Sequence, residues 1–463
     1  MQVVEREKLL GENEIPKLLL KFSIPAIVGM LVNALYNFVD MVFIGNGVGP
    51  LGIAGVRIGF PIIVVNMAFA MLIGVGANSL ISIRLGQKRK EDAELILGNA
   101  MVAMLAIAAF LTVLGLIFMN PLLKVFGASE AVIPYAQGYL SIILYGAVFQ
   151  VVGMGMNNFI RGEGNPKVAM ITMLIGAILN TILDPIFIFL FKWGIEGAAL
   201  ATILSQAVSA IWVLYYFLYG KSLLKVRKPN LKIRKDIIKS IVAIGLAPFS
   251  MQLASSVLII FMNKGLSYYG GDIAVSAMGI INNVAMIFMM VVFGINQGAQ
   301  PIIGFNYGAK KYDRVKTALK YAIGAATIVV SVGFILTRLF PAQIISIFSD
   351  DPQLIDIGAK GLKRVLLFMP IIGFQVVSSA YFQAVGKPKQ SMLLSLSRQV
   401  LILIPMVLIL PKFMGLEGLF TAGPVSDLVS SILTAIFLVF ELKHLDRQHE
   451  NGRVNTEPQL GDI

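Results

Sequence analysis

The sequence predicts an all-α integral membrane protein with about twelve transmembrane helices, arranged as two parallel-repeat six-helix lobes. Three observations lead there. Of the 463 residues, 57% are apolar and only 14% charged, with a mean hydropathy of +0.82, which excludes a set of soluble domains. The apolar stretches reach the roughly 20 residues needed to cross a ~30 Å hydrocarbon core. The second half also repeats the first in register at an offset of about 222 residues, far longer than a solenoid period.

In chain order, spans are expected over 16–45, 52–83, 94–119, 132–160, 167–191 and 196–219 in the first half. The second half repeats them at 237–268, 274–306, 316–340, 360–384, 390–411 and 418–441. The first span follows Glu5, Glu7, Glu12 and Glu14 and is too long for a signal-peptide core, so it is expected to be retained. The basic turn after the second span, Gly86-Gln-Lys-Arg-Lys, matches Gly308-Ala-Lys-Lys after the eighth. Gly164-Asn-Pro166-Lys167, before the fifth, matches Gly386-Lys-Pro388-Lys389 before the eleventh. Gly194-Ile-Glu196-Gly197 opens the sixth as Gly415-Leu-Glu417-Gly418 opens the twelfth, and Pro25 pairs with Pro248. Six spans return the chain to its starting side, so the halves are parallel rather than inverted. The expected organisation is an N-terminal lobe (1–220), a basic linker (221–236), a C-terminal lobe (237–441) and a tail (442–463). The lobes are expected to turn about the connection from Lys221 to Lys239.

A net charge of +13 would suggest nucleic-acid binding in a soluble protein. Here most of the 38 Lys and Arg fall at the termini and in the loops after even-numbered spans. That bias places both termini in the cytoplasm, with no nucleic-acid partner. The richest cluster, from Lys221 to Lys239, allows contact with membrane lipid, although topology alone accounts for it. Cysteine is absent, which removes disulfides and thiolate chemistry. Gly220-Lys221-Ser222 fails as a phosphate-binding loop, because the glycine required five residues earlier is Tyr215. No ATPase domain and no cofactor beyond a coupling ion are expected. His444 and His449, both in the polar tail, make a poor metal site.

Ionisable groups inside a bilayer are costly and mark function by default. Two acids stand out well within the spans, Asp40 and Asp184. Both lie toward the outer side of spans that start in the cytoplasm. Asn33, Tyr36, Asn37 and Asp40 follow i, i+3, i+4, i+7 spacing and share a helix face. Asn180 and Asp184 share another, and Thr202 reaches the same level from the sixth span. Such a set can supply oxygens to Na+ or take up a proton. Asp184-Pro185 can equally mark a bend or a helix end. The repeat puts Asn263 opposite Asp40, so the acidic site belongs to the N-terminal half. Pro25 is a candidate helix bend. Asn282, Asn283, Asn296, Gln297 and Gln300 make the eighth span polar, lining a water-filled path or bridging helices. Met286, Met289 and Met290 there suit a cavity that accepts many shapes. Arg398, in the eleventh span, pairs with helix ends or faces the cavity, and Arg57 is placed to snorkel.

Several stretches together resemble the multidrug and toxic compound extrusion (MATE) family. They are Pro25 with Leu35-Tyr-Asn-Phe-Val-Asp40, then Arg161-Gly-Glu-Gly-Asn-Pro166 and Leu179-Asn180-Thr-Ile-Leu-Asp184-Pro185. Gly294-Ile-Asn-Gln-Gly-Ala-Gln-Pro301 and Asn306-Tyr-Gly-Ala complete the set. The resemblance implies two lobes forming a V, whose central cleft exports lipophilic, often cationic compounds in exchange for H+ or Na+. It places a cation site on Asp40, Asn180, Asp184 and Thr202 and a bendable proline at Pro25. Asn33, Tyr36, Asn37, Asn283, Gln297 and Gln300 are the cleft candidates for small organic substrates. The acids that some branches carry in the seventh and tenth spans are absent from Met251–Ser256 and Phe374–Ser378. A monomer in the cell membrane is expected. Two other readings compete. One is a lipid or glycolipid-precursor flippase, which needs a groove open to the bilayer. The other is an intramembrane aspartyl protease, whose signatures Val39-Asp40-Met41 and Leu183-Asp184-Pro185 do not resemble.

Overall fold

The computed structural model describes residues 8–454, with the backbone alone for 449–454. Glu5, Glu7, the last part of the expected tail and the side chain of His449 lie outside the described residues. All regular elements among the described residues are helical. The first lobe holds α1 (Ile15–Gly47), α2 (Pro50–Gly86), α3 (Lys90–Val125), α4 (Ile133–Tyr145 bent by 54° into Ala147–Gly162), α5 (Pro166–Leu190) and α6 (Gly194–Leu218). A 74-residue run follows, Lys235–Gly308. At 1.5 Å per residue it would be about 110 Å long, several times a bilayer. Gly271 (φ 65°, ψ −167°) breaks it into α7 (235–270) and α8 (272–308), at the interval expected from the sequence. The rest are α9 (Tyr312–Leu339), α10 (Pro352–Val365 bent by 50° into Met369–Ala384), α11 (Pro388–Met414) and α12 (Leu416–Val454). With the long run counted as two, twelve spans are present among the described residues.

Local chemistry sets the boundaries. Prolines open α2, α5, α10 and α11, where a missing backbone N–H costs nothing. Asn165 and Asp351 cap α5 and α10 by accepting from the backbone N–H of Val168 and Gln353. The repeat extends to the backbone itself. Positive φ recurs at Gly49 and Gly271 (90° and 65°), Gly164 and Gly386 (93° and 72°), Gly194 and Gly415 (55° and 56°), and Lys88 and Lys310 (60° and 57°). Two copies of one six-helix plan thus share even their turn geometry.

Within the first lobe α1 packs on α5 and α2 on α3 and α4; within the second α10 packs on α9 and α12. Between lobes the described contacts lie on the half nearer the termini. A Cβ on Gly245 of α7 would sit 1.7 Å from the Leu72 carbonyl oxygen on α2, and one on Gly76 would sit 2.1 Å from that of Ile241. The symmetry-related contact brings Gly298 of α8 against Ser23 of α1. Gly86 and Gly308 meet the Phe305 and Ile83 carbonyls in the same way, with Cβ distances of 2.0 and 2.1 Å. Only glycine lets helix backbones come this close. The far halves of α1 and α7 find their glycine contacts inside their own lobes, Gly47 on Ile188 and Gly265 on Leu419. The lobes therefore form a V, closed on the termini side and open on the far side.

The described residues nearest both ends, Leu10 to Asn13 and Asp446, lie on the closed side. Arg314 at the start of α9 donates to the carbonyls of Leu10 and Asn13, and Lys316 pairs with Asp446 at 2.6 Å. The linker is not slack. Glu94 accepts from the Lys225 N–H and pairs with Arg227 at 2.8 Å, and Glu163 accepts from the N–H groups of Leu223 and Leu224. Asn99 receives the Arg234 N–H at 2.6 Å. The connection from Lys221 to Arg234 is thus fixed to the first lobe. The joint between lobes falls where α7 begins, not over the whole basic stretch.

Candidate ion and substrate site

In the far half of the first lobe, three helices bring four polar residues together. Asp40 comes from α1, Asn180 and Asp184 from α5, and Thr202 from α6. All are buried, Asp184 at 0% exposure and Asp40 at 8%. The two carboxyl groups lie against one another. The Asn180 amide donates to Asp184 Oδ1 at 3.2 Å and to Thr202 Oγ1 at 3.4 Å. Asp40 Oδ1, Asn180 Oδ1 and Asp184 Oδ2 are left without hydrogen-bond partners. Buried oxygens normally find donors, so three orphans around two like charges make a cage that a proton or a cation can satisfy. Asp184-Pro185 does more than end a helix. The regular part of α5 stops at Pro185 and one π-turn, Ile186–Leu190, carries the chain on. A widened turn of this kind recurs at functional sites, and here it sits directly beyond the carboxylate.

Two tyrosines complete the surroundings. Tyr36, half-buried on α1, faces both carboxyl groups beside Asn37. Tyr139, buried on α4, reaches Thr202. Tyr139 is invisible to spacing arguments, because its partners lie on other helices. Asn37 donates to the Asn33 carbonyl oxygen at 2.7 Å, and both amides are exposed on the same face of α1. Asn283 and Met286 are exposed on α8. α1 runs as one uninterrupted helix through buried Pro25, which lies between the two points where α1 meets α8, Ser23 on Gly298 and Ile27 on Gly294.

Gln297 and Gln300, both half-buried, make their hydrogen bonds in the seam between lobes. Gln297 accepts from Arg161, and Gln300 both accepts from Asn78 at 3.2 Å and donates to Ser79 at 3.1 Å. They bridge helices across the lobes. Asn78 and Gln300 are repeat equivalents, so that hydrogen bond lies on the pseudo-twofold axis. Arg398 finds a counter-charge that the span-depth reading passed over. Asp427, buried inside α12, accepts from its Nε at 2.7 Å. This third intramembrane acid was detectable as a carboxylate within an apolar run. Arg57 is exposed near the far end of α2, as snorkelling requires. His444 contacts Gln448, and no metal-binding cluster of His, Cys, Asp or Glu occurs among the described residues.

Comparison with known proteins agrees with this architecture. The MatE family profile matches twice, over residues 25–186 and 248–409. The multidrug export protein MepA of Staphylococcus haemolyticus is 27% identical over 433 residues, 94% of this chain and 95% of its own. A crystal structure of MATE in the bent conformation superposes with a TM-score of 0.91 at 26% identity, covering 96% of this chain and 99% of that one. An outward-facing conformation of a multidrug resistance MATE family transporter of the MOP superfamily gives 0.88 at 27% identity, over 95% and 98%. With one copy of the family pattern in each lobe, spanning most of its length, this chain belongs to the MATE family.

Proposed function

We propose that the protein is a secondary active exporter of lipophilic, often cationic organic compounds, driven by exchange for H+ or Na+. The buried pair Asp40 and Asp184 carries this reading: each has one unpartnered oxygen, and Asn180 beside them adds a third. Removal from water and a like charge alongside both disfavour two bare carboxylates. The pair therefore takes up a proton or a sodium ion, with Asn180 and Thr202 supplying further oxygens. Efflux by relatives of the same length, such as MepA, supports the substrate class. The Lys and Arg bias puts the closed side in the cytoplasm of a cell-membrane protein, so the V faces outward. One chain holds both lobes, and a monomer suffices.

Ion uptake is linked to cargo release through α1. Its foot is held on α8 at Ser23 and Ile27, and its far half carries Asp40. Pro25 lies inside that foot and lacks the N–H that would stiffen the helix there, just below the free far half. Neutralising the pair changes the preferred shape of α1 and narrows the cleft beside Asn33, Tyr36 and Asn37. Ion and cargo then compete, and by linkage each weakens the other equally. Cargo affinity should fall as pH falls where H+ is the ion, and as Na+ rises where Na+ is. Binding of a fluorescent cation by wild type, Asp40→Asn and Asp184→Asn, titrated against pH and Na+, tests this. Each variant should lose the ion dependence and, in proteoliposomes, uphill export. Wild-type affinity indifferent to both ions would refute the coupling.

A further inference from the structure

Arg161, on the last turn of α4, is 7% exposed and reaches across the seam. One guanidinium nitrogen donates to Gln297 of α8 and the other to Asn158 at 3.2 Å. Both partners are neutral amides, and no carboxylate lies within ion-pair range of it among the described residues. The other deep cations differ, since Arg398 has Asp427 and Lys387 has Glu441 at 2.6 Å. The nearest acid in sequence, Glu163, is turned away toward Tyr216, Ser222 and the linker backbone. Buried charges are normally paired. Here a whole positive charge is kept unbalanced where the lobes meet.

Its surroundings give that charge a task. The seam is a file of hydroxyls and amides: Ser23, Asn78, Ser79, Ser82, Gln297 and Gln300. Asn78 Oδ1 and Ser23 Oγ are unpartnered there, and Ser82 donates to the Gly162 carbonyl at 3.3 Å. Such a file can pass protons or small cations from an open cleft to the closed side, which would dissipate any gradient used for export. A fixed positive charge in a low-dielectric constriction repels cations. We propose that Arg161 is the cation barrier at the floor of the cleft, a buried charge that keeps H+ and Na+ from crossing the polar seam while it is shut. Ions then cross only with movement of the lobes. This rests on the ion-coupled reading above.

The test is passive flux without cargo. Proteoliposomes of wild type, Arg161→Gln, Arg161→Lys and Gln297→Glu would be clamped at zero voltage, and H+ and Na+ entry followed with trapped dyes. Arg161→Gln should raise cation entry on the order of tenfold, since repulsion at this range is worth at least one decade of rate, and Arg161→Lys should stay tight. Gln297→Glu keeps the bridge but cancels the charge, so it should leak as well, and it remains informative if Arg161→Gln does not fold. A role in fastening the lobes predicts the reverse for Gln297→Glu, a seam as tight as wild type. Monodisperse Arg161→Gln or Gln297→Glu protein that holds gradients as wild type does would overturn the barrier. So would Arg161→Lys leaking as much as Arg161→Gln. Since no cargo is present, failure here leaves the exporter reading standing, and failure of export leaves the flux comparison valid.

Discussion

Arg398 and Asp427 show what a single buried pair is worth inside this molecule. Asp427 is 4% exposed and holds Arg398 while Ser426 donates to the arginine's own carbonyl. Asp427→Ala leaves the Arg398 guanidinium without its counter-charge; with the arginine side chain 26% exposed, the cost should fall below the roughly 3–5 kcal/mol of a fully buried pair. The apparent Tm in detergent should drop clearly, and Arg398→Leu combined with Asp427→Leu should recover most of it. A single variant as stable as wild type would mean that water reaches the pair. At this scale the sequence was partly legible. Asp40, Asn180, Asp184 and Thr202 could be matched by depth and spacing, because position along a helix of known rise is one-dimensional arithmetic. The roles of Tyr139 and Arg161, and the pairing of Asp427 with Arg398, depend on which helix stands beside which, and distance along the chain does not contain that.

Elements were legible where one residue or one composition change decides them, as Gly271 does between α7 and α8 and as proline does at four helix starts. The bends in α4 and α10 and the π-turns Ile186–Leu190 and Ser397–Leu403 sit beside Gly146, Pro370, Pro185 and Pro405, but such residues mark a break without saying whether it becomes a bend, a π-turn or a helix end. The basic linker looked like a topological marker alone, because its partners Glu94 and Glu163 lie on α3 and just after α4. The glycine seam makes an element-scale prediction. Gly245→Ala places a methyl against the Leu72 carbonyl, and overpacking of this kind costs about 1–3 kcal/mol. That penalty falls on the closed seam, so the balance should shift toward the opposite opening by roughly one to two decades. Labelling of single cysteines on the termini side should then quicken, and far-side labelling should slow. Unchanged rates would mean that the helices yield without separating.

For the whole molecule, two copies of one plan closed at one end imply that the opening must change ends for anything to cross. Cysteines placed at the far ends of α1 and α7 and crosslinked across the mouth should stop transport, and reduction should restore it. Full activity in the crosslinked protein would show that cargo takes a path outside the cleft. The docked linker carries one more consequence. A slack tether would let two halves drift, slide and roll with many degrees of freedom. Because Glu94, Glu163 and Asn99 fasten the connection up to Arg234, what remains is a short pivot at the foot of α7. Meanwhile Asn306, Lys311 and Arg314 grip the short helical segment ahead of α1 from the opposite side. Motion is thereby confined to something near a single swing, like a door on a pin rather than a gate on a rope. Every conformational cycle should then retrace one track, and the closed seam should re-form in the same register each time.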